Sequence, residues 1–465
     1  MAAGILNGIR VIDCGTYIAA PAAATVMSDF GAEVIKIERP PYGDPYRYLS
    51  LNPGMPVSDL FYCWILDGRN KKSLALNLSR DEGREALLKL VKTADVFITN
   101  FPAPLVRKFR LSYEELRAVQ PKLIYAHITG YGDAGEDAER PGYDATAYWA
   151  RSSLMYTIHN GDAEPALSPA GFGDHPTAMS LFGGIMLALY NRERTGEGTK
   201  VSTSLMANGA WSHACTLQAA MCGATFLPRA SRKTAYNPII NHYVSRDGKR
   251  FLLCCLDPQK DWPALCKAFE LDDLLADENL STPEGRRDNR AAVIERIDQA
   301  AARRDMSDID RLFHAHDIIW GAVLTIAEAA GDPQMEANGV YAEVEHEGRG
   351  SLRTVSSPVN LQGFPKAKPA PAPGIGQHTR ELLSQLGYST GEIEELYAGK
   401  FEASQLTETD LRWLLVVHAS PITKKFAQVM VELLSSEELQ AIIEKVGREM
   451  ASFCDEYSRD GVLVS

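Results

Sequence analysis

The sequence predicts an α/β fold in which a doubly wound parallel sheet forms a large domain and a smaller α+β domain interrupts it. Three observations lead to this prediction. Short β-branched segments alternate with helical patterns over the first 130 residues, as in successive βαβ units. The pattern changes between residues 229 and 330, where tryptophans and mixed helical and strand-like segments appear. Strand-like segments resume after residue 331, so we expect the chain to return there to the large domain.

The strands of the large domain are predicted from β-branched composition and short length. In chain order they are "IRVIDCG" (9–15), "AEVIKIE" (32–38), "SLALNL" (73–78), "DVFITN" (95–100) and "LIYAHITGYG" (123–132). The clearest intervening helix is predicted over 81–94, with acidic residues in its first turn and Ala86, Leu87, Leu90 and Val91 on one face. Ligands of doubly wound sheets bind beyond the carboxyl ends of the strands. The segments 14–21, 38–44 and 100–101 are therefore candidate binding segments.

The turn after the first predicted strand lacks the dinucleotide fingerprint. It reads "GTYIAAPAA" (15–23), without the Gly-x-Gly-x-x-Gly spacing that brings a backbone close to a pyrophosphate. A nicotinamide or flavin enzyme is therefore disfavoured.

The remaining chain gives the predicted domain organisation. Residues 1–228 form the first part of the large domain, 229–330 the small domain and 331–401 the return to the large domain. Within these, "KRFLLCCLD" (249–257) and "GVYAEVEHEG" (339–348) are strand-like, and "RAAVIERIDQAAARRD" (290–305) is helical. An amphipathic tail after residue 402 predicts a helical extension over 402–465.

Composition and charge narrow the function classes. The chain has 465 residues, 45% of them hydrophobic, and a net charge of −12, which disfavours a nucleic-acid partner. Its eight cysteines include no Cys-x-x-Cys pair, so we predict no metal site and a reduced, cytoplasmic location. The longest apolar run, around 181–190, is too short to span a bilayer, so no membrane partner is expected.

Asp174 is the candidate reactive group. It lies in "GFGDHP" (171–176), directly before a long apolar helical pattern. Pro176 suits the first helical position, so we expect Asp174 in a loop at a helix N-terminus, where the helix dipole favours its ionised form. Gly171 and Gly173 allow close approach of another molecule. An ordinary N-cap aspartate explains the same pattern, and spacing alone does not decide between the two. For His175, a structural or substrate-contacting role is favoured over that of a general base.

Several segments together resemble the family III CoA-transferases, which include formyl-CoA transferase and the 2-hydroxyacyl-CoA transferases. The resemblance runs from Leu6 to about Tyr388. Five blocks occur in the family's order: "LNGIRVIDCGTYIAAPAAATVMSDFGAEVIKIERPPYGDPYR", "NKKSLALNL", "PGYDATAYWA", "GFGDHPTAMSLFGGIMLALYNRERTGEGTKVSTSLM" and "GIGQHTRELLSQLGY".

The resemblance implies a Rossmann-like large domain, an interlocked homodimer and a catalytic role for Asp174. In that family the matching aspartate attacks the acyl-CoA, giving a mixed anhydride and then an aspartyl-CoA thioester. A carboxylate with an ordinary pKa of about 3.9 is ionised at neutral pH and needs no base. CoA thioesters enter as substrates, with no permanently bound cofactor. Backbone N–H groups of Gly171 and Gly173 are candidate oxyanion donors. The residues assigned to the CoA site are Ile18, Ala19, Arg39, Leu76, Asn100, Phe101, Lys108, Tyr143 and Met206.

Departures from the family pattern bear on the substrate. The glycine run and gating glutamine of formyl-CoA transferase have no match in "LPRASRKTAYNPIINHYVSRDGKR" (227–250). Transfer from an acyl-CoA or enoyl-CoA to a 2-hydroxy acid is therefore the favoured reaction. Two alternatives stay open. One is an α-methylacyl-CoA racemase, although Tyr143 stands where racemases carry a histidine base. The other is a non-catalytic CoA-binding subunit of a heteromeric transferase.

Overall fold

A computed structural model describes residues 4–40, 42–159, 161, 163–346 and 348–398. The predicted helical extension over 402–465 lies outside the described residues.

The described chain contains eleven strands and eighteen α-helices. The strands are β1 (Arg10–Asp13), β2 (Glu33–Glu38), β3 (Lys71–Ala75), β4 (Val96–Thr99), β5 (Ile124–Thr129), β6 (Lys200–Ser204), β7 (His242–Val244), β8 (Arg250–Leu253), β9 (Trp320–Val323), β10 (Tyr341–His346) and β11 (Gly350–Val355). The helices are α1 (Ala19–Asp29), α2 (Tyr62–Asp67), α3 (Asp81–Val91), α4 (Ala103–Phe109), α5 (Tyr113–Val119), α6 (Leu154–Thr157), α7 (Asp174–Thr195), α8 (Leu205–Ser212), α9 (Ala214–Met221), α10 (Pro258–Phe269), α11 (Asp272–Ala276), α12 (Pro283–Asp288), α13 (Arg290–Ala301), α14 (Met306–Ala315), α15 (Ile326–Ala330), α16 (Pro333–Ala337), α17 (Thr379–Gln385) and α18 (Thr390–Ala398). Short 3-10 helices span Pro45–Leu51, Arg232–Thr234 and Glu278–Leu280, and a π-helix spans Asp144–Ala150.

The predicted doubly wound parallel sheet is confirmed. Six strands are hydrogen-bonded in the order β3-β2-β1-β4-β5-β6, and every neighbouring pair is parallel. In the central register Ile12 of β1 lies between Ile35 of β2 and Phe97 of β4, and all three side chains are fully buried. The strand order reverses direction between β1 and β4, and ligands bind at such a switch point in open α/β sheets.

Two helices cover the sheet near the candidate site. Every residue of α1 is buried, because its small alanines let the helix approach its neighbours closely. It packs against α7, whose inner face buries Leu181, Ile185 and Leu189. A Cβ added at Gly184 would lie 2.6 Å from Val201 Cγ1, so this glycine lets α7 approach β6. The neighbouring Gly183 faces open space and has no such packing role.

The predicted helix over 81–94 is present as α3. It begins at Asp81 as predicted and ends three residues earlier, at Val91. Ala86, Leu87, Leu90 and Val91, the predicted inner face, are all buried in the sheet core.

The described chain divides into two compact units. The first contains residues up to 152, 169–212 and the described residues from 340 onward, and the second contains 153–168 and 213–339. The second unit holds the antiparallel sheet β7-β8-β9 and a core in which the Phe313 ring lies 5.1 Å from that of Phe269 and 5.6 Å from those of Phe251 and Trp320. The predicted small domain, 229–330, falls within this unit, and its boundaries at 228 and 330 stay predictions. Within the described ranges, no helix combines the length and apolar character needed to cross a bilayer.

Candidate active site

The residues assigned to the CoA site from the sequence all follow strands of the parallel sheet. Because parallel strands end at the same edge, they are brought to one side of the first unit. Ile18 and Ala19 follow β1, Arg39 follows β2, Leu76 follows β3, Asn100, Phe101 and Lys108 follow β4, Tyr143 follows β5, and Met206 follows β6.

The side chains at this edge are of two kinds, buried apolar ones and exposed polar or aromatic ones. Ile18, Ala19 and Leu76 are buried apolar side chains, while Arg39 and Lys108 are exposed cations. Tyr143 is 61% exposed and its ring meets that of Tyr17 edge to face, with centroids 5.9 Å apart. The exposed part of this edge therefore carries two cations and an aromatic ring, whereas Ile18, Ala19 and Leu76 are buried in the fold.

Asn100 holds the loop at the switch point. Its Oδ1 accepts a hydrogen bond from the Thr16 amide, and its Nδ2 donates to the Thr16 carbonyl, both at 2.8 Å. The Thr99 hydroxyl donates to the Cys14 carbonyl at 2.9 Å. The Asn100 amide thus fixes the β1–α1 loop, a role that the sequence pattern did not reveal.

Asp174 is the first residue of α7, so the prediction that Pro176 starts the helix was wrong. Gly173 is the N-cap, and Pro176 is the third helical residue, where a missing N–H costs no intrahelical bond. The alternative of an N-cap aspartate is wrong too, because no side chain caps this helix. Gly171 has a φ of +78°, which explains the need for glycine at that position.

Asp144 anchors the turn that carries Asp174. The Gly173 amide donates to both oxygens of the Asp144 carboxylate, at 3.1 and 3.0 Å, and the amides of Gly171 and Asp174 also interact with it. A Cβ at Gly173 would lie 2.2 Å from the Tyr148 ring. The expected role of these amides as oxyanion donors is therefore corrected, because their N–H groups donate to the Asp144 carboxylate.

A histidine–aspartate–tyrosine cluster lies beside the nucleophile candidate. His175 Nε2 lies 3.2 Å from Asp67 Oδ2, and its Nδ1 lies 3.1 Å from the Gly171 carbonyl oxygen. The Tyr46 hydroxyl donates to the same Asp67 oxygen at 2.7 Å. Asp67 and Tyr46 are buried, whereas 41% of the His175 side chain is exposed.

The pKa of Asp174 is raised to about 7, contrary to the expectation of an ordinary value. Burial of the carboxylate is the largest cause, the negative charges of Asp144 and Asp67 add to it, and His175 opposes it. No described residue donates a hydrogen bond to the Asp174 carboxylate. The Asp174 carboxylate is thus half-buried and close to two other carboxylates, surroundings that disfavour its anion and that are common at functional sites.

A buried ionic network supports these loops. The Asp13 carboxylate pairs with Lys71 at 2.8 Å and with Lys36 at 3.4 Å, and Lys36 pairs with Asp44 at 2.8 Å. Asp44 Oδ1 accepts hydrogen bonds from the Tyr17 and Tyr46 amides. The network therefore connects the β1–α1 loop with the segment that presents Tyr46 to Asp67. Among the described residues, no group of three or more His, Cys, Asp or Glu side chains is arranged to hold a metal ion.

Comparison with known proteins gives concordant matches. Residues 6–379 match the family model described as CoA-transferase family III. The chain is 34% identical over 402 residues to cinnamoyl-CoA:phenyllactate CoA-transferase of Clostridium sporogenes, covering 85% of this chain and 97% of that protein. It is 29% identical over 400 residues to (R)-2-hydroxy-4-methylpentanoate CoA-transferase of Clostridioides difficile, covering 85% and 99%. The crystal structure of a CAIB/BAIF family protein from Brucella suis matches with a TM-score of 0.72 and 25% identity, over 83% of this chain and 100% of that one.

Proposed function

The chain belongs to CoA-transferase family III and is a CoA-transferase, and we propose that it moves CoA from an acyl-CoA or enoyl-CoA to a carboxylic acid through covalent catalysis by Asp174. One observation carries the assignment to Asp174. Its carboxylate lies at the start of α7, half-buried, accepting no hydrogen bond from any described residue, and with its pKa raised to about 7. A carboxylate with only a structural role is normally hydrogen-bonded or paired.

The proposed reaction has four acyl transfers. The Asp174 carboxylate attacks the thioester carbonyl, and the CoA thiolate leaves, so that a mixed anhydride forms. The thiolate then attacks the aspartyl carbonyl, which releases the donor acid as its carboxylate and leaves an aspartyl-CoA thioester. The acceptor carboxylate attacks the aspartyl carbonyl of this thioester, which expels the CoA thiolate and forms a second mixed anhydride. The thiolate then attacks the acceptor's acyl carbon, which gives the new acyl-CoA and releases the Asp174 carboxylate. Atoms and charge balance at each step, and no proton needs to be transferred.

Burial supports this role energetically. The surroundings of Asp174 disfavour its negative charge, and both the anhydride and the thioester remove that charge. Acylation therefore relieves the unfavourable burial of the anion. The hydrogen bonds from the Gly173 amide to Asp144 hold the turn, so the carboxylate meets the thioester in a fixed position.

The CoA site is proposed at the carboxyl edge of the sheet. Ile18 reaches the nucleophile turn, because a Cβ at Gly171 would lie 3.3 Å from its Cδ1. Arg39 and Lys108, both exposed, are proposed to bind CoA phosphates. Leu76, Phe101 and Met206 are proposed to contact the remaining parts of the CoA molecule. Tyr143 is proposed to border the site beside Tyr17. Asn100 is proposed to act indirectly, by holding the Thr16 backbone.

The proposed acceptor is a 2-hydroxy acid with an apolar side chain. Phenyllactate and 2-hydroxy-4-methylpentanoate, in the names of two similar proteins, both fit that description. The interlocked homodimer is part of the same proposal, supported by exposed apolar side chains on α7 and α8: Leu187, Tyr190 and Trp211. A cytoplasmic location is supported by the seven cysteines of the described residues, all of which are free.

The test is to trap the covalent intermediate. Incubation with an acyl-CoA and no acceptor should place CoA on the peptide that contains Asp174, and hydroxylamine should convert this adduct to a hydroxamate at residue 174. Asp174→Asn should form no adduct and lower exchange by several powers of ten while CoA still binds. Asp310→Asn, at an exposed position of α14, is the matched control and should behave like the wild type.

Each alternative predicts a different result. A racemase would invert a 2-methylacyl-CoA and form no covalent adduct. A non-catalytic subunit would bind CoA and show neither adduct nor exchange. Exchange that persists in Asp174→Asn would show that Asp174 is not the nucleophile.

A further inference from the structure

The hydrogen bonds of His175 fix its protonation state. Its two ring nitrogens face two acceptors, the Gly171 carbonyl at 3.1 Å and Asp67 Oδ2 at 3.2 Å. A neutral imidazole carries one N–H and one lone pair, so it can satisfy only one of these contacts. The lone pair would then face another oxygen lone pair. Both contacts are favourable only when both ring nitrogens carry protons.

The Asp67 carboxylate favours the positive charge of His175. It is 3% exposed, and its Oδ2 accepts hydrogen bonds from the Tyr46 hydroxyl as well as from His175. A carboxylate that accepts two hydrogen bonds at one oxygen is stabilised in its ionised form. The pKa of Asp67 is correspondingly lowered: burial, the largest single cause, would raise it, but the charge and hydrogen bond of His175, the Tyr46 hydrogen bond and the charge of Lys71 together outweigh burial.

We infer that His175 is a fixed imidazolium, held by Asp67 and the Gly171 carbonyl, that keeps the adjacent Asp174 carboxylate ionised for attack. This inference rests on the proposed function, because it assigns His175 a part in the reactivity of Asp174. His175 is a positioning residue and not a general base, since neither ring nitrogen has a free lone pair.

The surrounding charges show why a cation is needed there. Asp67, at the end of α2, and Asp144, after β5, both disfavour the Asp174 anion, and His175 is the group that favours it. Lys71 of β3 acts on Asp67, and the Tyr46 hydroxyl faces Asp67 and lies in the field of Asp174. Burial alone would lower the pKa of His175, but the charge and hydrogen bond of Asp67, the hydrogen bond to the Gly171 carbonyl and the charge of Asp174 together raise it to about 9. The imidazolium therefore persists across the pH range in which Asp174 ionises.

The same charge has a second effect in the acyl-enzyme. Once Asp174 is a neutral thioester, the field of the partly exposed imidazolium no longer acts on an anion at residue 174. An incoming carboxylate would take the place of that anion in the same field. The site could thus accept a carboxylate at the moment when its own carboxylate has been consumed.

The first test needs no activity. Histidine-labelled wild-type protein should give an NMR signal for His175 that is typical of a doubly protonated ring at pH 8 and that titrates near pH 9. His175→Gln identifies the signal among the ten histidines by its loss, and His314→Gln, at an exposed position of α14, is the control. Asp67→Asn should move the titration of His175 to a lower pH. A neutral ring at pH 8 in the wild type would overturn the inference.

The second test follows adduct formation against pH. In the wild type the rate should fall as pH decreases through about 7. His175→Gln should move this midpoint upward. A rise of about one pH unit would lower the ionised fraction at pH 7 from about one half to about one tenth, a roughly fivefold loss of rate, which is recovered at higher pH. His175→Lys, which keeps the charge, should restore much of the rate at pH 7. An unchanged midpoint in His175→Gln would overturn the inference, whereas absence of any adduct in the wild type would overturn the proposed function and leave the NMR result intact.

Discussion

Asp174→Asn should stabilise the protein, and it should do so more at pH 8 than at pH 5. The pKa of this carboxyl is about 7 in the folded protein and has an ordinary value of 3.8. Between these values the folded state binds more protons than the unfolded state, so stability falls as pH rises through this range. Asparagine has nearly the same size and carries no charge, so the variant escapes this loss.

The magnitude follows from the difference in pKa. A rise from 3.8 to about 7 corresponds to about 4 kcal/mol of destabilisation when the carboxylate is fully ionised. Part of this is already present at pH 5, so the additional loss between pH 5 and pH 8 is about 2.5 kcal/mol. This difference is the quantity to measure, because any effect of the substitution that does not depend on pH cancels from it.

The assay is urea unfolding at pH 5 and pH 8, followed by hydrogen exchange of peptides from α7. This readout reports the first unit, which contains Asp174, independently of the second. Glu85→Gln, at an exposed position of α3 in the same unit, should differ from the wild type by less than about 0.5 kcal/mol at both pH values. If Asp174→Asn shows the same stability difference from the wild type at pH 5 and pH 8, the carboxyl does not have a raised pKa. The electrostatic account of its reactivity would then be wrong.

Two further substitutions test the binding edge and the nucleophile turn. Arg39→Ala should raise the KM for every acyl-CoA by roughly 10- to 150-fold, which corresponds to the loss of about 1.5–3 kcal/mol from one charged contact. The preference among acceptor acids should stay unchanged. Arg303→Ala, also at an exposed position, is the control, and an unaltered KM in Arg39→Ala would remove this residue from the CoA site. Gly173→Ala should abolish adduct formation, because its Cβ would lie 2.2 Å from the Tyr148 ring and 2.7 Å from Asp144 Oδ1. Gly183→Ala, which faces open space within α7, should keep activity and stabilise the helix by about 0.5–1 kcal/mol, so equal rates in the two glycine variants would contradict the role given to the turn.

The sequence predicts the sheet well where strands are apolar and central. β1, β4 and β5 are buried on both faces, so their runs of valine and isoleucine stand out. β6 was not predicted, because its sequence is polar and its residues are largely exposed at the edge of the sheet. A strand at the edge of a sheet has a neighbour on one side only, and β6 forms through its parallel hydrogen bonds to β5. Such pairing is long-range and leaves little trace in local composition.

The site residues were proposed from the motif around Asp174, the strand ends and the family resemblance, and their roles stay predictions. The electrostatics of Asp174 were not predicted. The raised pKa of Asp174 was missed because it depends first on burial and then on charges that are distant in sequence: Asp67 is 108 residues from His175, and Asp144 is 29 residues from Gly173. The exact start of α7 was missed because Gly173, which has no side chain to cap the helix, is nevertheless its N-cap. Asn100 was assigned to the CoA site from the family resemblance, and only the structure shows its side chain bonded to Thr16.

A pKa near the working pH would let the proposed nucleophile, Asp174, meet two opposing requirements. A more basic carboxylate attacks a thioester faster, but each further rise of one pKa unit above the ambient pH lowers its ionised fraction by about tenfold. With a pKa of about 7, Asp174 is ionised in about half of the protein molecules at pH 7, and its anion remains poorly solvated. The unfavourable free energy of that buried anion is present in the resting protein and would disappear on formation of the proposed acyl-enzyme. The extra stability of Asp174→Asn and the reactivity of the wild type should therefore rise together with pH, because both measure the same buried charge.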